Sequence, residues 1–171
     1  AQGTYVITWT YDDGNGNTRT QTQNVIVDDT QMPVPDLATL PTLQDECAVT
    51  ITTIPTATDN CTGAITGTTS DPLTYTTQGT FFVTWEYDDG NGNIMTQVQT
   101  VIVQDVTAPV VTCPAGTIVE ADNNDQAMVP DFAALAFAAD NCTATPNIMM
   151  GQIPGAGSYA GLGINTITVE A

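Results

Sequence analysis

The hexapeptide Asp-Asp-Gly-Asn-Gly-Asn occurs twice in the chain, at residues 12–17 and 88–93. In each copy, oxygen-bearing side chains alternate with glycines and stand at positions i, i+2 and i+4. Calcium-binding loops space carboxylate and amide oxygens in this way, and glycine permits their tight curvature. We therefore predict metal ligands in both copies: Asp12, Asp13, Asn15 and Asn17 in the first, and Asp88, Asp89, Asn91 and Asn93 in the second.

One such loop cannot complete a calcium site, because the ion takes about six to eight oxygen ligands. The glutamate that closes an EF-hand loop is also missing from both copies. Further ligands are expected from acids in the linkers and turns: Asp28, Asp29, Asp105, Asp59 and Asp140. The alternative is turn chemistry alone, since Asp-Gly and Asn-Gly are ordinary turn sequences.

Two weaker patterns also carry polar groups. Residues 120–125 form another oxygen-rich run, which we interpret as a solvated loop in preference to a second calcium site. Asn60-Cys61-Thr62 and Asn141-Cys142-Thr143 match the acceptor pattern for N-linked sugar. Asparagine in Asp-Asn-Cys is equally typical of a turn, so glycosylation is only a hypothesis.

The chain is strongly acidic, with 19 Asp and Glu residues, one Arg, no Lys and no His, and a net charge of −18. Without His and Lys, the common activated nucleophiles, His-bound metals and phosphate-loop lysines are excluded from this segment. Paired carboxylates could still hydrolyse glycosides, but a small sandwich domain leaves little room for the required cleft. We predict that the protein is not an enzyme.

The same charge bears on partners. A polyanion lacks the Lys/Arg surface that nucleic acids and anionic membranes require, so neither is expected as a partner. Metal cations are the natural counter-charge, although the acidity could also serve only to keep a long extracellular polymer soluble. No signal peptide or apolar membrane-spanning run is visible, and we expect the chain to be an internal segment of a longer protein.

The sequence contains internal repeats. Residues 4–27 recur as residues 80–103 with 16 of 24 positions identical, and residues 163–171 align with residues 79–87 as a partial third copy. Apolar residues alternate along each copy, which predicts a half-buried strand followed by an Asn-Gly hairpin turn of type I′ and a second strand. The predicted buried faces are Tyr5, Ile7, Trp9 and Tyr11 in the first copy and Phe81, Val83, Trp85 and Tyr87 in the second. Both tryptophans are thus expected in the core and not as sugar-stacking platforms.

These repeats predict the domain organisation. Residues 1–30 are interpreted as the closing hairpin of one domain, 31–107 as a complete domain, and 108–171 as a domain that lacks its last strand. Further strands are expected near residues 47–53, 64–68 and 73–77, and a helix of about two turns over residues 132–138. The missing strand would come from continuation of the chain, or alternatively from another chain by strand exchange.

The four cysteines fall in two pairs, one in each of the last two units. Four cysteines allow three connectivities, and one bond per unit favours Cys47 with Cys61 and Cys113 with Cys142. Zinc ligation is the weaker alternative, because the chain has no CxxC spacing and no His. Disulfides in small domains indicate an oxidising, extracellular location.

Several motifs together resemble the hyalin-repeat-like (HYR-like) domain. They are Thr-Ala-Pro-Val-Val-Thr-Cys-Pro at 107–114, Asp-Asn-Cys at 59–61 and 140–142, a Gly before an alternating strand, and Asp-x-x-Gly-Asn at 13–17 and 89–93. The resemblance covers nearly the whole chain. It implies tandem antiparallel β-sandwich domains of the immunoglobulin-like fold in an extracellular protein of bacterial surfaces. The complete unit departs from the pattern, since it has Glu46-Cys47 in place of Cys-Pro.

The expected function follows from these points. We predict a structural segment of a long extracellular tandem-repeat protein, a fibre, filament or adhesin stalk stiffened by calcium. Its partners would be neighbouring repeats or identical chains. The alternative is a cell-surface module that binds carbohydrate or a receptor, with surface glycans as partners.

Overall fold

The computed structural model describes residues 2–171. Over this range the chain forms several antiparallel sheets and two short 3₁₀ turns, so the all-β prediction is confirmed. Two compact units are present: the first comprises residues up to 43, 50–74 and 80–101, and the second comprises residues 44–49, 75–79 and 102–171. The domain limits expected at residues 30 and 107 stay a prediction.

The described range contains sixteen strands. They are β1 (Gly3–Asp12), β2 (Thr18–Val27), β3 (Val34–Pro35), β4 (Leu43–Asp45), β5 (Val49–Thr50), β6 (Thr56–Asp59), β7 (Gly63–Thr66), β8 (Thr74–Tyr75), β9 (Gly79–Asp88), β10 (Ile94–Val103), β11 (Val110–Thr112), β12 (Gln126–Met128), β13 (Phe137–Ala139), β14 (Gly151–Ile153), β15 (Tyr159–Gly161) and β16 (Thr168–Glu170). The 3₁₀ turns are Ala133–Leu135 and Thr145–Asn147. The longest strands, β1, β2, β9 and β10, are those of the duplicated hairpin.

Strands β1 and β2 form an antiparallel hairpin whose register runs from Gly3 opposite Val27 to Asp12 opposite Thr18. The connecting loop is longer than the expected two-residue type I′ turn, because residues 13–17 lie outside both strands. Positive φ angles fall on Gly14 (77°) and Gly16 (90°) and not on Asn15. The prediction of a type I′ turn is therefore wrong, and aspartate side chains that bind the loop N–H groups account for the wider loop.

The repeated strand is buried in one copy and exposed in the other. In β9 the inward residues Val83, Trp85 and Tyr87 are at most 1% exposed. In β1 the corresponding Ile7, Trp9 and Tyr11 are 40%, 51% and 56% exposed. In β9 the predicted burial is confirmed for Val83, Trp85 and Tyr87, while Phe81 is half-buried, and in β1 it is wrong. Alternation marks a face that can be covered, but burial requires a second layer against that face.

The core of the first unit forms where the sheet β3-β6-β7 and the hairpin strands β9 and β10 contribute apolar side chains. It includes Ala57, Ile65, Val83, Trp85, Tyr87 and Val101, all of them buried. The indole N–H of Trp85 donates to the side-chain oxygen of Gln99 at 3.1 Å, and the Gln99 amide donates to the Pro41 carbonyl at 3.1 Å. These bonds satisfy the polar atoms that the tryptophan brings into the core.

The second unit is built from two-stranded antiparallel pairings, β11 with β13, β12 with β15, and β14 with β16. In the part of this unit that follows β10, the buried apolar residues are Val129 and Ala138. The helix predicted over residues 132–138 is wrong, since a single 3₁₀ turn there leads directly into β13. The side chain of Gln152 accepts the N–H groups of Phe132 and Ala133, which anchors this turn to the neighbouring segment.

Candidate metal centre

The first hexapeptide folds on itself. Asp12 Oδ1 accepts the N–H of Gly14 at 2.8 Å, and Asp13 Oδ1 accepts the N–H groups of Asn15 at 2.8 Å and Asn17 at 3.2 Å. The Asn17 side chain donates to Asp13 Oδ2 at 2.6 Å. This bond, followed by the two backbone bonds, holds the pKa of Asp13 below its ordinary value of 3.8. All of these residues are exposed, so the loop has the geometry expected from turn chemistry.

The second hexapeptide makes the same internal bonds in a different environment. Asp88 accepts the N–H of Gly90, and Asp89 Oδ1 accepts those of Asn91 at 2.7 Å and Asn93 at 3.1 Å. Unlike Asp13, Asp89 is only 5% exposed. Burial opposes its ionisation, but the side-chain amide of Asn93 and the backbone N–H groups hold the pKa of Asp89 below 3.8.

The second loop contacts the linker that follows β2. Asn91 Nδ2 donates to Asp29 Oδ2 at 3.2 Å, and Asn93 Nδ2 donates to the Asp29 carbonyl at 3.2 Å. Asp29 Oδ1 accepts the N–H of Gln31 at 3.2 Å. Asp29 is 6% exposed, whereas the adjacent Asp28 is exposed. The linker acid that contacts the second hairpin loop is therefore Asp29.

A third segment reaches the same place, namely the Asp-Asn-Cys-Thr turn between β6 and β7. Asp59 Oδ1 accepts the N–H groups of Cys61 and Thr62, both at 2.8 Å. Thr62 Oγ1 donates to the Asp89 carbonyl at 2.8 Å, which links the turn to the hairpin loop. The other oxygen, Asp59 Oδ2, is buried without a hydrogen-bond partner.

Asp29, Asp59 and Cys61 each place one ligand atom within 4.8 Å of the other two. Desolvation of the thiol raises the pKa of Cys61, and the hydrogen bond to Asp29 and the nearby carboxylates raise it further. The groups in this set that suit a hard cation are the carboxylate oxygens of Asp29 and Asp59. We name this group, with Asp89, Asn91 and Thr62, the acidic cluster.

The second unit contains a related group. Glu46, Asp105 and Cys142 place one ligand atom each within 4.8 Å of one another. Thr107 Oγ1 donates to both carboxylate oxygens of Glu46, and the Asn141 side chain also donates to Glu46. The Glu46 carboxylate thus already accepts bonds from protein donors, unlike Asp59 Oδ2.

Asp140 occupies the same turn position in the second unit that Asp59 has in the first. Its Oδ1 accepts the N–H groups of Cys142 at 2.9 Å and Thr143 at 2.6 Å. The Thr143 bond, and then the Cys142 bond, hold the pKa of Asp140 below 3.8. Asp140 therefore stabilises its turn and lies outside the group formed by Glu46.

The predicted ligands divide into three sets. The structure brings together Asp29, Asp59, Asp89, Asn91 and Asn93. It places Asp105 beside Glu46, while Asp140 caps its own turn. The others are exposed residues at strand ends, in the first loop or in the linker: Asp12, Asp13, Asn15, Asn17, Asp28 and Asp88. Cys61 and Glu46 were missed as cluster members. Their positions in the sequence could have indicated both residues, because Cys61 ends the predicted Asp-Asn-Cys turn and Glu46 directly precedes Cys47.

The disulfide in the structure links Cys47 to Cys142, which lie 95 residues apart in sequence. Cys61 and Cys113 are free and exposed. The expected pairs Cys47–Cys61 and Cys113–Cys142 are therefore wrong. Pairing by proximity in sequence fails here because the fold brings the segment after β4 to the second Asp-Asn-Cys turn.

The second unit also has an open cleft of about 470 Å³. Its lining includes the apolar side chains of Val129, Phe132, Leu162 and Ile167. Among the described residues that line it, Glu120 is the one carboxylate and Cys113 the one thiol. Glycosidases typically pair two carboxylates, and the described lining contains one.

Comparisons with protein-family models, with curated proteins and with solved structures found no match. In the described part of the chain, no helix has both the length and the apolar character needed to cross a membrane. The resemblance to HYR-like domains stays a prediction.

Proposed function

We propose that the chain is a non-catalytic structural segment of a long extracellular protein. In this proposal it consists of tandem immunoglobulin-like β-sandwich repeats of the HYR-like type and serves as a fibre, filament or adhesin stalk. Calcium bound by the acidic cluster and the junction acids stiffens the array. The observation that carries the proposal is the contrast between the two copies of the hairpin.

The two hairpins share one internal design. Trp9 donates its indole N–H to Gln23 at 3.2 Å, as Trp85 donates to Gln99 at 3.1 Å. Trp85 is 1% exposed and Trp9 is 51% exposed. An aromatic face that forms a core in one copy has the shape and hydrophobicity to be covered by the same kind of body in the other. A neighbouring repeat or an identical chain supplies such a body.

The available side chains support a structural role over a catalytic one. With no His and no Lys in the chain, acid-base and nucleophilic chemistry depend on carboxylates, hydroxyls and thiols. Aspartates with lowered pKa values cap turns and loops, as at Asp13 and Asp122, or accept bonds from strand hydroxyl groups, as at Asp36. Such groups stabilise backbone conformation, which suits a scaffold.

Charge supports the calcium part of the proposal. A net charge of −18 in 171 residues makes neighbouring carboxylates repel one another unless cations intervene. Asp29, Asp59 and Asp89 are each at most 6% exposed, so solvent screens them little. A bound cation would remove that repulsion where the linker, turn and hairpin loop meet. The disulfide is in keeping with an oxidising, extracellular location.

Electron microscopy of the native assembly tests the structural role. The proposal predicts beaded strings or thin fibres with a regular repeat along their length. Isolated particles that do not associate at any concentration of the chain would contradict it.

The exposed face of β1 also favours a second candidate function. Tyr5, Trp9 and Tyr11 are 48%, 51% and 56% exposed on one strand, and aromatic rings of this kind can stack on sugars. A carbohydrate-binding module would show saturable glycan affinity that Trp9→Ala abolishes. A scaffold would show no such affinity, and the same substitution would instead impair association.

A further inference from the structure

The strongest unexplained feature of the molecule is the side chain of Asp59. It is 5% exposed, and its Oδ1 already accepts two backbone N–H groups of its own turn. Its Oδ2 is buried with no hydrogen-bond partner. A buried carboxylate oxygen without a partner is strongly unfavourable, because ionised groups lose their hydration on burial. The position therefore requires a ligand that the side chains do not provide.

The surroundings define the charge of that ligand. A carboxylate oxygen of Asp29 lies within 4.8 Å of one from Asp59, and Asp29 is itself 6% exposed. Asp89 is also buried, and the Asn93 side chain that donates to its carboxylate donates as well to the Asp29 carbonyl, which adds a third negative charge nearby. Two carboxylates at this distance repel each other strongly in a desolvated site. The ligand is therefore a cation.

The chain cannot supply this cation from a side chain. Arg19 is its one basic residue, and it pairs with Tyr11 at the loop end of the first hairpin. Eight residues of extended strand separate Arg19 from Val27, a distance of roughly 26 Å at about 3.3 Å per residue. The counter-charge consequently comes from solution.

The donor atoms indicate which cation. Asp29 and Asp59 offer carboxylate oxygens, and Thr62 brings a hydroxyl oxygen to the same place, while Asn91 holds both Asp29 and Thr62 through its Nδ2 donor. Hard oxygen donors of this kind, completed by water, suit calcium. Zinc prefers His nitrogen and thiolate, and this cluster has no His and a single thiol.

We propose that Asp29 and Asp59 form a calcium site in which Asn91 positions the Asp29 carboxylate, and that this site ties the linker after β2 to the β6–β7 turn and the β9–β10 loop. This inference deepens the proposed function and rests on it in treating the acids as structural. The first hairpin loop has the same sequence and the same internal bonds, but its residues are exposed, whereas Asp89 of the second loop is buried.

Calcium binding to the full chain tests the proposal directly. The chelator-treated protein is titrated with CaCl₂ by calorimetry in about 0.1 M KCl, which screens diffuse attraction to the polyanion. Asp59→Asn keeps the oxygen that caps the turn, and Asp29→Asn keeps an oxygen for one of the bonds from Gln31 and Asn91 while it removes the charge. Asp140→Asn is the matched control, because it makes the same change in the same Asp-Asn-Cys-Thr tetrapeptide of the second unit.

We expect the wild type to bind calcium with a Kd of about 10⁻³ M or tighter. Asp59→Asn and Asp29→Asn should each weaken one calcium equivalent by at least about tenfold, while Asp140→Asn retains it. Unchanged binding in both cluster variants, or an equal loss in the control, would overturn the site. Should Asp59→Asn fail to fold, as judged by circular dichroism, Asp29→Asn decides the question.

The outcome is separable from that of the proposed function. Fibres formed by a chain that binds no calcium would overturn the site and leave the structural role standing. A chain that binds calcium at this site but never associates would overturn the structural role and leave the calcium site standing.

Discussion

Asn91 donates its side-chain amide to Asp29 Oδ2 at 3.2 Å across 62 positions of the sequence. The equivalent residue of the first hairpin, Asn15, instead donates to the carbonyl of Asp13 within its own loop, at 3.4 Å. Two identical hexapeptides thus serve different purposes because one meets a linker acid and a turn while the other faces solvent. Local sequence determines the loop conformation, and tertiary contacts determine whether a loop can take part in a site.

The two tryptophans should differ sharply in their effect on stability. Trp85→Ala removes a fully buried indole and should lower the free energy of unfolding by about 3–5 kcal/mol. Trp9→Ala, at the matched exposed position, should change it by less than about 0.5 kcal/mol in the dilute chain. Urea denaturation followed by circular dichroism measures both. Equal losses would contradict the difference in burial.

The disulfide should stabilise the chain through its long span. Replacing Cys142 by Ser should lower the free energy of unfolding by about 2–5 kcal/mol, since the bond closes a loop of 95 residues in the unfolded state. Cys61→Ser and Cys113→Ser are the matched controls and should leave stability nearly unchanged. Peptide mapping without reduction should yield a Cys47–Cys142 peptide. A Cys47–Cys61 peptide in its place would refute the pairing.

Much of the fold can be predicted from the sequence where local pattern and tertiary context agree. The long strands β9 and β10 follow from apolar alternation, and β5 and β8 lie inside the predicted segments 47–53 and 73–77. The helix predicted over residues 132–138 does not form, because Phe137 lies in β13 and pairs with Thr112 of β11. Alanine favours the helix, but periodicity alone does not separate helix from strand in so short an apolar run, and here pairing with β11 overrides the local preference.

The candidate site was only partly predictable. The sequence identifies Asp29, Asp59 and Asp89 as acids beside turns, but it cannot show that linker, turn and loop converge. Nor can it show that Asp59 keeps one oxygen unpartnered after capping its own turn. The Cys47–Cys142 pairing could not be predicted for the same reason, because the disulfide, like the site, depends on contacts between segments that are distant in sequence.

Gly67 should be intolerant of a side chain. A Cβ at this position would lie 3.0 Å from the Pro55 carbonyl oxygen and 3.1 Å from Cε1 of Tyr87. Gly67→Ala should therefore destabilise the chain by about 1–3 kcal/mol. Gly116→Ala is the control, because a Cβ there meets nothing within 4 Å. Thermal unfolding of the two variants checks the difference, and equal melting temperatures would show that the packing around Gly67 is looser than described.

Acid should weaken the contribution of Asp36. Hydrogen bonds from the hydroxyl groups of Thr56 and Thr58 lower the pKa of Asp36 below its ordinary value of 3.8. The ionised form thus stabilises the fold above pH 3.8, and this contribution is lost as the pH falls through the lower folded pKa. The stability difference between wild type and Asp36→Asn should shrink in that range, as measured by urea denaturation. A difference independent of pH would contradict the assignment.

Hydroxyl-radical footprinting of the native assembly tests the central claim most directly, with mass spectrometry reading oxidation at Trp9 and Trp85. In the dilute chain, Trp9 should oxidise readily and Trp85 should be protected, in line with exposures of 51% and 1%. In the assembly, both should be protected to a similar degree, because a neighbouring repeat or chain covers the face of β1. Continued rapid oxidation of Trp9 in assembled material would contradict the account.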